Sequence, residues 1–174
     1  MLTRISNEVQ DRTSRELLIC MSRIIEVPNA LINNIMYVIN NPDLFNEEAK
    51  EILDELKDLY NSFKKRQVPD CKRAFNDIAT KFRDLNQYLI DPQHKIPDFS
   101  TDEFYKFLST ECGATDENVK SIEYVIETPD VYDDEMKQAV KELFEAWDKY
   151  YYYKSDDAHA KIVKKKFMQL PPNS

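Results

Sequence analysis

The chain has 174 residues and a mass of 20.6 kDa, with 32 acidic against 24 basic side chains, a net charge of −8 and a sequence pI near 4.9. At 42% apolar and 32% charged residues it has the composition of a folded globular chain, and its single glycine, Gly113, excludes glycine-rich phosphate loops and nucleophile elbows. The acidic balance argues against nonspecific nucleic-acid binding by the whole molecule, because such binding draws on phosphate neutralisation.

The N-terminus turns polar at once, and the longest strictly apolar runs, such as Leu17 to Met21 and Ile35 to Ile39, are too short for a signal core or a spanning helix. A soluble intracellular protein, cytoplasmic or nuclear, is therefore expected. Val9, Leu17, Leu18, Met21, Ile24 and Ile25 predict a first helix that stops before Pro28. Leu31, Ile32, Ile35, Met36 and Ile39 predict a second ahead of Asn41-Pro42, with Pro28 suited to the first turn of the restart. From Asn46 to Gln67 a stripe of Ile52, Leu53, Leu56, Leu59, Tyr60 and Phe63 predicts a longer helix, with Asn46 as its cap and Glu47 and Glu48 at the positive end of its dipole. After the Val68-Pro69-Asp70 break, Ala74, Phe75, Ile78, Ala79, Phe82, Leu85 and Leu89 predict a partner helix that packs against it as a hairpin.

Beyond the proline-bearing loop from Pro92 to Pro97, Ser100-Thr101-Asp102-Glu103 reads as a capping box that opens a short helix with Phe104, Phe107 and Leu108, C-capped at Gly113. Thr115 caps a helix through Val119, Ile122, Val125 and Ile126 that stops before Pro129. From Asp133 a longer helix carries Met136, Val140, Leu143, Phe144, Trp147 and Tyr151; Lys154-Ser155-Asp156-Asp157 breaks it, and a last helix holds Ile162, Val163, Phe167 and Leu170 up to Pro171-Pro172. The expected fold is all-α, with about eight helices in successive antiparallel hairpins forming a compact bundle or a short right-handed superhelix. It is read as a single domain over 1–174, with a basic C-terminal helix and tail over 154–174. The hairpin spacing of roughly 40 residues resembles that of helical-repeat units, with no self-similarity visible between the hairpins. The succession of hairpins ending in Leu143-Phe144-Glu145-Ala146-Trp147-Asp148-Lys149-Tyr150 resembles the eight-helix superhelical modules that bind polymerase tails or sorting signals. The acidic stretch from 98 to 135 departs from them by about the length of an extra hairpin.

Candidate chemistry is sparse. His94 and His159 are the only bases near neutral pH, lie in no motif, and are expected to be exposed and unengaged. Cys20, Cys71 and Cys112 are odd in number and form no CxxC, as suits reduced, mostly buried thiols; a Cys112–His94 pair is the one nucleophilic arrangement to weigh. HExxH and calcium-loop patterns are absent, so no metal or cofactor is expected. The carboxylates of Asp130 to Glu135 read first as the acidic first turn of a helix and second as a cation site.

Charge and aromatics are more informative. Residues 98 to 148 hold 15 acids and 4 bases, net −11, while residues 154 to 174 hold 5 bases and 2 acids, net +3. Asp133, Asp134 and Glu135 could present a negative face to a basic partner segment. Tyr150 to Tyr153 would distribute rings through more than 300° of a regular helix at about 100° per residue, so some must be exposed or meet a partner. With Trp147, they are residue types enriched in interface hot spots. These features predict a non-catalytic protein–protein interaction module or adaptor that binds a partner segment through a helical groove, with Trp147, Tyr150 and Tyr153 as anchors; the same aromatic surface would also serve a homodimer. The alternative is an RNA- or anionic-lipid-binding adaptor that uses Lys161, Lys164, Lys165 and Lys166. Docking of the lysine-bearing helix on its own chain competes with that use, and four lysines without arginine make a weak nucleic-acid signature.

Overall fold

The computed structural model describes residues 2–66 and 70–171, with side chains from Arg4 onward. The Val68-Pro69 break and Pro172 lie outside the described residues. Within them the chain is all-α: nine α-helices joined by short 3-10 turns and one π-turn, with a lone antiparallel bridge between Phe45 and Leu89. The chain divides into two compact units, Met1–Pro97 and Asp98–Ser174.

The first unit contains α1 (Leu2–Glu8), α2 (Arg12–Arg23), α3 (Asn29–Asn40), α4 (Glu47–Lys64) and α5 (Cys71–Ala79). Its first expected helix is two. Val9 is buried between them, and the Asp11 carboxylate caps α2, accepting from the Ser14 N–H at 3.0 Å and the Ser14 hydroxyl at 2.8 Å. Ile24, expected in the core, is 52% exposed, because α2 ends at Arg23 and the chain turns through Glu26 at φ 63°. Asn46 caps α4 as expected, accepting from the Ala49 N–H at 3.2 Å. The helix expected to run on to Leu89 instead ends at Ala79 and passes into 3-10 turns at Thr80–Phe82 and Leu85–Tyr88. Asp84 caps the second of these turns: its carboxylate accepts from the Asn86 N–H at 3.1 Å, a local bond that competes with a return to helix. Phe82, Leu85 and Tyr88 are still buried, because a three-residue period keeps one side of a 3-10 turn inward.

The second unit contains α6 (Phe99–Thr110), α7 (Asp116–Glu127), α8 (Asp134–Asp148), the π-turn Lys149–Tyr153 and α9 (Asp157–Met168). The cap of α6 is Asp98, which accepts from the Ser100 N–H at 3.0 Å, so Ser100 lies in the buried first turn rather than opening a capping box. Thr115 and Asn118 form the capping box of α7. Gly113 adopts φ 70° after α6, where the Ala114 N–H returns to the Leu108 carbonyl at 2.9 Å. In α9 the core position is Val163, fully buried, while Ile162 is 46% exposed. The expected hairpin partners α2–α3, α4–α5, α6–α7 and α8–α9 do pack against each other.

The units also share one internal plan. Helices starting at 12 and 29 have counterparts starting at 99 and 116, 87 residues on, with the same lengths; the 3-10 turns at 42–44 and 129–131 and the starts of α4 and α8 at 47 and 134 keep that offset. Glu26 and Gly113 occupy the same left-handed turn, and the Val27 N–H to Met21 carbonyl bond, 2.9 Å, matches the bond made by Ala114. Ten of the 22 residues 35–56 are identical to those at 122–143, including Tyr37-Val38-Ile39 with Tyr124-Val125-Ile126 and Pro42-Asp43 with Pro129-Asp130. The self-similarity not visible between hairpins is present between pairs of hairpins.

Candidate functional site

Both histidines are engaged, which corrects the expectation that they stand free. The Tyr37 hydroxyl lies 2.8 Å from His94 Nε2, and His159 Nδ1 lies 2.7 Å from the Asp156 carboxylate that also caps α9 through the His159 N–H at 2.8 Å. These two hydrogen bonds hold the Asp156 carboxyl below the usual carboxylate range. Burial pushes the thiols of Cys20 and Cys112 up to about 11, so both stay protonated and weakly nucleophilic at neutral pH. Among the described residues no three His, Cys, Asp or Glu side chains gather as metal ligands.

The acidic run is a helix start. Asp133 caps α8, accepting from the Met136 N–H at 2.9 Å, and Asp134 and Glu135 are exposed in the first turn. The basic run docks at home: α9 packs on α8 and on the π-turn, Lys164 pairs with Glu111 and Lys166 with Glu142, each at 3.7 Å, while Lys161 and Lys165 are exposed.

Trp147 is a core residue, which removes it from the surface anchors. It is 1% exposed, packed between Phe104 and Phe107 at 5.5 Å each, with its indole N–H directed to the Ser100 hydroxyl at 3.4 Å. Tyr151 stacks on it and is buried, Tyr150 is half-buried against Phe107, and Tyr152 and Tyr153 reach solvent at 44% and 76% exposure. The spacing of these four rings is that of a π-turn, closed by the Lys154 N–H on the Lys149 carbonyl at 2.9 Å, so the regular 100° step does not apply beyond Asp148. Burial, reinforced by Glu145, raises the Asp148 carboxyl above its ordinary value.

One concavity stands out in the second unit. It encloses about 310 Å³ between α7, α8 and α9, walled by Ile122 and Val125, by Met136 and Val140, and by Phe167 and Leu170. Asn118 and Ser121, one turn apart on α7, supply its polar edge, Met168 and Pro171 complete the wall, and no charged side chain lines it. Its lining is mixed, with polar and apolar surface both exposed to it, and its size is that of a small ligand or a few side chains of a peptide. Sequence reasoning missed it because each lining residue reads as an ordinary core or surface position of its own helix; the exposed Met168 was the only local signal. No family model, curated protein or solved structure matches the chain, and no described helix is long and apolar enough to cross a membrane.

Proposed function

We propose that this chain is a non-catalytic, intracellular protein-interaction module that holds a segment of a partner protein in the groove between α7, α8 and α9. The observation that carries this reading is the cavity itself, a place where three helices meet without filling the space between them. Asp130, Asp133, Asp134 and Glu135, exposed around the start of α8, favour a partner segment with basic flanks. Of the aromatic residues singled out in the sequence, Tyr153 is the one accessible enough to add a contact outside the groove. The lysine reading draws support from Lys161 and Lys165 alone, because Lys164 and Lys166 are engaged with carboxylates of their own unit.

Selection from a displayed random-peptide library on the full chain tests the reading, with Met136→Trp and Met168→Glu as counter-screens. Met136→Trp partly fills the groove, and Met168→Glu places a charge at its edge on a side chain already 76% exposed. Peptides that lose about tenfold or more in affinity for both variants support the groove. Failure to enrich any peptide, or enrichment indifferent to both substitutions, overturns it.

A further inference from the structure

The outer faces of α7 and α9 are opposite in charge, and both carry apolar side chains to solvent. Residues 116–135 hold eight acids against one lysine. Among the described residues Glu123, Glu127, Asp130, Asp134 and Glu135 enter no ion pair, so their field is not neutralised within the chain. Apolar groups stand among them: Tyr124 is 48%, Ile126 40% and Val131 66% exposed. The turn that follows α7, where the Val131 N–H donates to the Thr128 carbonyl at 3.2 Å, brings the Tyr132 ring edge to face onto Tyr124 at 5.7 Å.

The last helix presents the complement. Lys161, Ile162, Lys165 and Met168 follow one another at steps of one, three and three residues, which places them on one side of α9. All four are exposed, Ile162 at 46% and Met168 at 76%. Lys164 and Lys166 are engaged with Glu111 and Glu142, whereas Lys161 and Lys165 enter no ion pair among the described residues. Both faces are open to solvent, so they do not meet within one copy of the chain.

We propose that the α9 face of one copy docks on the α7 face, with the turn that follows it, in a second copy. The contact sets Ile162 and Met168 against Tyr124 and Val131 while bringing Lys161 and Lys165 to Glu127 and Asp130, so apolar area is buried and opposite charges meet. A basic segment of another protein would satisfy the acidic face alone; a second copy satisfies both faces. Because the two faces differ, the contact is heterologous: each docked pair keeps one face of either kind free, and association runs on into chains or closes into a ring. This inference uses the outer surface of the unit and goes beyond the groove.

Sedimentation velocity of the full chain over a roughly hundredfold range of concentration tests it, and the weight-average sedimentation coefficient should rise with concentration. Lys161→Glu with Lys165→Glu, and separately Glu127→Lys with Asp130→Lys, should each weaken association about tenfold or more, with circular dichroism confirming that both variants stay helical. Where a reversal lowers the helical signal, the neutral changes Lys165→Ser and Glu127→Gln take its place and should act in the same direction. Mixed in equal amounts, the two charge-reversed variants should associate again, since each then meets faces of opposite charge. Met136→Trp, which alters the groove, should leave association unchanged. A chain that stays monomeric throughout, association indifferent to the reversals, or reversed variants that stay apart when mixed overturns the inference. Association lost in Met136→Trp assigns the contact to the groove and overturns it as well, while leaving the groove reading in place.

Discussion

Trp147→Ala is the substitution that most sharply separates a core role from an interface role. The indole is 1% exposed and touches Phe104, Phe107, Tyr150 and Tyr151 at ring separations of 5.2 to 5.6 Å. Truncating a buried tryptophan removes its transfer free energy and leaves a cavity that neighbours fill only in part, at a cost of about 3–5 kcal/mol. It also takes away the partner of the buried Ser100 hydroxyl, adding roughly 1 kcal/mol. A unit of about 77 residues has about 4–12 kcal/mol of total stability, so the loss is a large share of it or all of it. Urea unfolding followed by circular dichroism at 222 nm should show the helical signal of the second unit melting at much lower denaturant, whereas Tyr153→Ala, at a 76% exposed position, should shift stability by less than about 0.5 kcal/mol. A Trp147→Ala protein within about 1 kcal/mol of wild type would refute the packing argument and return Trp147 to the surface.

The matched turns predict opposite effects. Gly113→Ala should destabilise by about 1 kcal/mol in thermal or urea unfolding, because an L side chain is strained at φ 70° even though nothing crowds the position, while Glu26→Gly at φ 63° should stabilise by up to about 1 kcal/mol. Asp148 has a carboxyl raised by burial, so its ionised form is the one the fold disfavours; Asp148→Asn should raise the melting temperature at pH 7, with the gain fading as pH falls through the carboxylate range and wild type becomes protonated. Asp156 has the opposite sign: its lowered value means stability present above the ordinary aspartate range near pH 3.9 and lost as pH falls below it. Asp156→Ala should therefore cost about 1 kcal/mol at pH 7, and its melting curve should converge on that of wild type in acid.

Much of the helical layout was legible because apolar stripes at 3.6-residue spacing and polar caps are local signals. Asn46, Thr115 and the Asp133 helix start were read correctly for that reason. The misplacements arose where a short side chain competed with the helix or the period changed. The helix that the stripe would have carried to Leu89 gave way to 3-10 turns, the second capped by Asp84; Asp98 took over a cap assigned to Ser100, and the π-turn displaced the tyrosines. The repeat was hidden by its length: a comparison between hairpins sets α2–α3 against α4–α5, whereas similarity joins α3–α4 to α7–α8. The groove could not be read at all, since it exists only where three helices leave space between them.

The measurement closest to the central claim is amide chemical-shift mapping of the full chain titrated with a peptide enriched by the library selection. The groove account predicts shifts concentrated at Ser121, Ile122, Val125, Met136 and Val140, with binding weakened about tenfold or more by Met168→Glu. Saturable binding whose shifts fall away from α7, α8 and α9, or that is indifferent to Met168→Glu, would contradict it.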